Sequence, residues 1–260
     1  MLHQLDRVLR SQELRPTQWR LFFLCGLGWA ADMAWVIGIS IVMNEIGKDW
    51  SISVAFRSVL PISLMLGVTI GSVFWGYFSD RSGRILPFKV TLFIAGFAGI
   101  VAALSTNIWM LAAACFAAGT GLGGNLAVDG TVFLEYCPAS YKWTLTAMSG
   151  VCVLGSFAVS TLAWVFTMAG VSMLWRFLLG SVAVSSLVTG VFRLNQRETP
   201  YFLIHAGRIA EAHELISELT NGNSELELEI ELLPVQTPVT PVPPEAVPKV
   251  KTNMFFFIMV

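Results

Sequence analysis

Six runs of about twenty mostly apolar residues, separated by short polar turns, decide what this chain can be. They fall at roughly 21–43, 57–78, 87–105, 108–134, 144–168 and 174–194. A helix of about twenty residues, rising ~1.5 Å per residue, crosses the ~30 Å hydrocarbon core of a bilayer. Lipid offers no partner to a peptide N–H or C=O, so spanning segments must be helices or the strands of a closed barrel. The period-two alternation of a barrel is absent. Composition agrees: the 260 residues are 55% hydrophobic and 13% charged, where soluble domains carry about 25% charged residues. The expected fold is an all-α membrane protein with six transmembrane helices.

Lysine and arginine placement orients the bundle. Arg7, Arg10, Arg15 and Arg20 precede the first run; Arg81, Arg84 and Lys89 mark the turn between runs 2 and 3. Lys142 lies in the turn between runs 4 and 5, and Arg193, Arg197 and Arg208 follow run 6. The opposite side offers only Lys48, Arg57 and Arg176. The positive-inside rule therefore places both ends of the six-helix unit in the cytoplasm. The organisation expected is a cytoplasmic segment over 1–20, with no signal-peptide pattern, and the bundle over 21–194. A cytoplasmic amphipathic helix follows over 195–222, beginning at Pro200. Residues 223–252 form an acidic and Pro-rich linker. Residues 253–260 read as the start of a seventh helix that breaks off, since eight residues cannot span.

The turn between runs 2 and 3, GYFSDRSGR at 76–84, carries the most information. Gly67, Gly71 and Gly76 fit small-residue helix-packing faces, and Gly83 suits a tight turn. Asp80, at the end of its helix, needs a cation or a helix N-terminus as partner. The pattern Gly76-x-x-x-Asp80-Arg81-x-Gly83-Arg84 resembles the cytoplasmic loop signature of the major facilitator superfamily, with Ile85 where a further basic residue is usual. The resemblance covers about residues 18–220. It implies two inverted repeats of three helices, equivalent to the N-terminal half of a facilitator. It also implies a gating cluster at the inward mouth: Asp80, Arg81 and Arg84 with Glu135, Lys142 and Glu198. The stretch Arg197-Glu198-Thr199-Pro200 is similar to the segment after helix 6 of sugar porters, with Arg197 in place of proline.

Inside the apolar runs the acids are the informative residues. Asp32 lies about twelve residues into run 1, ~18 Å along the helix and near the midplane. A carboxylate there costs at least ~2.5–3.5 kcal/mol, so it must face a cavity, find a partner or carry a proton. The last option makes it a candidate for proton or substrate coupling, and Trp29 and Trp35 lie at helical spacing from it. Run 4 holds GTGLGGNLAVDGTVFLE at 119–135. Gly119, Gly123 and Gly124 permit close helix approach, and Asn125 and Asp129 share a face as i, i+4 neighbours. This run looks like the synaptic-vesicle-protein-like and fungal organic-solute branch of the superfamily. Its glycines are not a phosphate loop, having no following lysine and no preceding strand. The sequences around Asp32 and Asp129 lack the pattern of an intramembrane aspartyl protease.

The remaining residue types exclude rather than identify. Cys25, Cys115, Cys137 and Cys152 have no metal spacing and read as reduced packing residues. Trp75, Trp109, Trp143 and Trp175 near helix ends read as interfacial anchors. His3, His205 and His213 lie outside the spans. No basic cluster suits nucleic acid, and no enzyme, metal or cofactor is expected. The function expected is alternating-access transport of a small organic solute, a sugar or an organic ion, coupled to protons. Asp32, Asn125 and Asp129 are the site residues, and the partners are solute, protons and the lipid bilayer. The pattern resolves neither plasma nor vacuolar membrane. The rival expectation is a truncated, transport-inactive half or a membrane scaffold, the second six-helix half being missing or separate.

Overall fold

The computed structural model describes residues 16–137 and 139–220. The N-terminal part of the expected cytoplasmic segment, the linker and the expected seventh helix lie outside the described residues. Among the described residues six helices are long and apolar enough to cross a membrane: α1 (Pro16–Asp49), α2 (Val59–Ser82), α3 (Ile85–Ala103), α4 (Ile108–Tyr136), α5 (Thr144–Met168) and α6 (Leu174–Arg193). A single turn, Val54–Arg57, leads into α2. At 34 residues, α1 is ~51 Å long and outreaches the ~30 Å core, because the polar residues that close its apolar run are still helix formers.

The two halves of the bundle interlock. α4 packs on α2 and α3, α1 packs on α5 and α6, and α3 also packs on α6. The first helix of each half is thus held by the last two of a half, which is how paired three-helix repeats share one core. That core is continuous through Trp35, Ile39, Leu64, Leu111, Leu122 and Leu178. α2 and α5 are the least covered helices and present large apolar side chains outward, among them Ile70, Val73, Phe74, Phe157 and Trp164.

The α2–α4 contact is backbone against backbone. A Cβ at Gly119 would collide with the carbonyl oxygen of Leu64, and one at Gly123 with that of Val68. Gly67 and Gly71 face the α4 backbone in the same way. Gly76 does not share this role, because a Cβ there would meet nothing within 4 Å. The small-residue face ends one turn before it.

Three further readings are corrected. Trp175 is no interfacial anchor: it is 1% exposed, and its Nε1 donates to Asp49 Oδ2 at 2.8 Å. The amphipathic helix after α6 is two helices, α7 (Pro200–His205) and α8 (Ile209–Thr220). Gly207, at φ 73°, closes α7: its N–H donates to Ile204 O at 3.2 Å and that of Arg208 to Leu203 O at 2.9 Å. Those are the paired bonds of a glycine-terminated helix. Thr199 caps the start of α7, and Pro200 stands where a missing N–H costs nothing. Lastly, Arg193 ends α6 and is completely buried, not part of a polar segment beyond the membrane.

Candidate functional site

Four polar side chains meet inside the bundle. Asp32 on α1, Asn125 and Asp129 on α4 and Arg193 on α6 are each 2% exposed or less. Arg193 grips Asp129 with both terminal nitrogens, Nη1 to Oδ1 at 2.8 Å and Nη2 to Oδ2 at 2.5 Å. The planar guanidinium matches a carboxylate in this forked way, which a lysine could not do. Nη1 also donates to Asn125 Oδ1 at 2.6 Å and Phe88 O at 3.1 Å, and Nη2 to Leu24 O at 3.0 Å. The Phe88 ring lies 4.0 Å below the guanidinium carbon, a favourable face for a cation. Room for the group comes from Gly28, where a Cβ would occupy the place of Nη2 and lie 2.7 Å from Asp129 Oδ2.

Asp32 is treated differently. Its Oδ2 accepts from Asn125 Nδ2 at 2.7 Å, while its buried Oδ1 has no hydrogen-bond partner among the described residues. Among the described residues no cation forms an ion pair with it. The i, i+4 spacing on α4 brings Asn125 and Asp129 to one face, as helix geometry requires, and that face meets both α1 and α6. Trp35 is fully buried and packs where a Cβ on Gly99 would lie 2.7 Å from its ring. Trp29 turns toward Gly130 on α4.

The second cluster stands at the end of the bundle where α2, α4 and α7 meet. Gly83, at φ 103°, is in a backbone region that side chains disfavour. It turns the chain so that the N–H groups of Arg84 and Ile85 reach Glu198 Oε1, at 3.0 and 3.3 Å. A carboxylate there sits at the positive end of α3. The Arg84 side chain pairs with Asp80 and with Glu135, the latter at 3.2 Å, and donates to Ser79 Oγ at 3.0 Å. Glu135 is held from the other side by Thr199 Oγ1 at 2.5 Å. Tyr136 Oη lies 3.0 and 2.9 Å from the carbonyl oxygens of Arg197 and Glu198. Leu203 of α7 and Leu215 of α8 join the core with Phe133. Burial pushes the neighbouring Cys137 thiol above its ordinary pKa, against smaller opposing effects of Thr144 and Lys142.

Of the six charges expected here, the structure brings together Asp80, Arg84, Glu135 and Glu198. Arg81 instead lies over the Tyr77 ring at 4.3 Å. Neither Arg81 nor Lys142 forms an ion pair among the described residues. Gly83 and the backbone-contacting Gly119 and Gly123 are where the geometry needs them. Gly124 faces side chains instead, Trp75 Cδ1 at 2.5 Å and Thr91 Cγ2 at 2.6 Å from a Cβ placed on it. Sequence reasoning missed Arg193, Ser79, Tyr136 and Thr199. The signal for Arg193 was available: two acids inside a bundle require a cation, and this arginine directly closes an apolar run.

Comparison with known proteins points one way. The family described as "Sugar (and other) transporter" matches residues 53–233. The chain is 32% identical over 237 residues to the MFS siderochrome iron transporter 1 of Ceriporiopsis subvermispora (strain B), covering 85% of this chain and 45% of that protein. It is 33% identical over 228 residues to the major facilitator-type transporter hxnZ of Emericella nidulans, covering 81% and 41%. The fold superimposes on the proton:xylose symporter XylE bound to 6-bromo-6-deoxy-D-glucose, with a TM-score of 0.73 and 17% identity, over 82% of this chain and 52% of the other; XylE is an E. coli transporter. The chain spans about half the length of the curated relatives it matches.

Proposed function

Because the chain belongs to the sugar (and other) transporter family of the major facilitator superfamily, we propose that it serves the transport of a small organic solute, a sugar or an organic ion, across a membrane. Transport proceeds by alternating access and is driven by protons, with Asp32 as the coupling acid. Helices α1 and α4 line the solute path, and Asn125 and Asp129 belong to the same polar site. The end with the Arg84 cluster, which carries most of the arginines, is the cytoplasmic one. There Asp80, Arg84, Glu135 and Glu198 hold the inward mouth shut. The relatives' names support an organic solute or its complex, and a proton:xylose symporter shares the fold. The uncovered faces of α2 and α5 support closure against a second six-helix unit.

The observation that carries proton coupling is the state of Asp32. Among the described residues it is buried, bonded only to an amide and paired with no cation, so a neutral carboxyl is the form that such a place accepts. The test is uptake into liposomes under an imposed proton gradient. Asp32→Asn is expected to insert normally, to abolish accumulation against a gradient and to leave downhill exchange. Undiminished accumulation in Asp32→Asn overturns the coupling role. A chain that moves no solute alone, and does so once a second six-helix unit is supplied, supports the half-transporter reading.

A further inference from the structure

The buried network contains two carboxyl groups and one guanidinium, and the guanidinium is not shared evenly. Both terminal nitrogens of Arg193 donate to Asp129, whereas Asp32 receives, among the described residues, only an amide N–H from Asn125. Asn125 faces both sides: its nitrogen donates to Asp32 at 2.7 Å and its oxygen accepts from Arg193 Nη1 at 2.6 Å. Those neighbours fix the direction of the amide. Turned over, its NH₂ would face a guanidinium that can only donate. The carboxamide is therefore a polar joint of defined sense between the acid on α1 and the cation on α6.

Resting on the reading of Asp32 as the coupling acid, we propose that Arg193 is the positioning residue through which proton occupancy of Asp32 is passed to the other helices, with the Asn125 side chain as the link. While Asp32 holds its proton, the cluster has one carboxylate and one guanidinium and is neutral, as its hydrogen bonds are arranged. On release, the Asp32 O–H bond breaks with its electron pair kept on the carboxylate, and the proton passes to water. Two buried carboxylates then face one guanidinium, a strongly unfavourable state unless charge is redistributed. Nη1 serves Asp129, Asn125 and the Phe88 carbonyl at once, so it can be drawn toward Asp32 without giving up the Nη2 contacts. Arg193 bonds Leu24 on α1, Phe88 on α3 and Asp129 on α4 from the end of α6. Redistribution therefore bears on four helices together. The titratable groups acting on Asp32 are Asp129 from α4 and Arg193 from α6, while Asp32 itself acts on Cys152 of α5. Cys25 from α1 is within electrostatic reach of Asp129 and Arg193, and α3 presents the Phe88 carbonyl and ring.

The test reads protonation directly and needs no transport. The purified chain in lipid nanodiscs is titrated by infrared spectroscopy, following the carbonyl stretch of a protonated carboxyl that disappears in Asp32→Asn. Arg193→Lys keeps the charge and loses the fork, which makes it a gentler probe than Arg193→Gln. It is expected to displace the midpoint of the Asp32 band by about tenfold in proton concentration. In an Asn125→Ser background the same change is expected to displace it by less than about twofold, the link being cut. Equal displacement in both backgrounds would show a through-space charge effect and overturn the role of Asn125. No displacement in either would make Arg193 a purely structural anchor. If no carboxyl band is lost in Asp32→Asn, the assignment of Asp32 as the coupling acid falls, and the relay falls with it.

Discussion

The most exposed consequence of the buried network concerns its ion pair. Arg193 and Asp129 have side chains with no solvent exposure, and Arg193 makes five hydrogen bonds, two to the carboxylate, one to an amide and two to backbone carbonyls. Arg193→Met removes the cation and leaves Asp129 charged in an apolar interior, with the Leu24 and Phe88 carbonyls stripped of a donor. Removing one partner of a buried pair costs about 3–5 kcal/mol, most of it the desolvation of the charge left behind. Asp129→Leu should cost as much, for the mirror reason. Asp129→Leu with Arg193→Met leaves no unpaired charge, but the Leu24 and Phe88 carbonyls still lack their donor; the double change should therefore cost no more than one single change, an interaction energy of at least ~3 kcal/mol. The assay is equilibrium unfolding in mixed micelles, followed by circular dichroism. Strictly additive losses, or single changes below ~1 kcal/mol, would refute the reasoning and mean that water reaches the pair.

Two other predictions separate neighbours that look alike in sequence. Arg84→Ala should destabilise by about 2 kcal/mol, because Glu135 loses a charged partner in a half-buried place. Arg81→Ala should cost about 0.5 kcal/mol, because only an exposed ring contact is lost; thermal unfolding in detergent ranks the two, and equal losses would count against the geometry. Gly123→Val drives a side chain into the Val68 backbone and should cost about 3 kcal/mol. Gly76→Ala, with open space around it, should gain up to about 1 kcal/mol of helix propensity. The same melts check that opposition of sign.

The bundle was legible in the sequence because lipid leaves so little choice. Apolar length sets the number of spans and short turns set their antiparallel order. Pairing was legible only where spacing fixes it: Asn125 and Asp129 share a face by helical period, and Arg84 reaches Asp80 one turn back. Contacts between distant segments were not. An arginine at the end of an apolar run normally reaches outward with its long stem; only the demand of buried acids for a cation singles out Arg193, and nothing local tells that it turns inward to Asp129, 64 residues away. Trp175 was read as an anchor for the same reason, its partner Asp49 being 126 residues distant. Gly76 continued a small-residue pattern by sequence, yet it points away from α4 into open space, while its neighbour Trp75 packs against Gly124.

The two clusters are tied together by covalent geometry as well as by shared helices. On α4, Asp129 and Glu135 are six residues apart. On the segment that runs from α6 into α7, their partners Arg193 and Thr199 are also six residues apart. The two segments are therefore joined at two levels along their length, one inside the bundle and one at its end. α4 is unbroken between its two attachment points, and its glycine face presses backbone to backbone on α2, whose far end carries Asp80. A shift of α4 against α6 at the Arg193 level is either taken up in the non-helical stretch 194–199 or passed along α4, whose bending the α2 contact resists. Where it is passed along α4, a change in how Arg193 holds Asp129 alters how Thr199 and Arg84 hold Glu135, with no contact between the two sites.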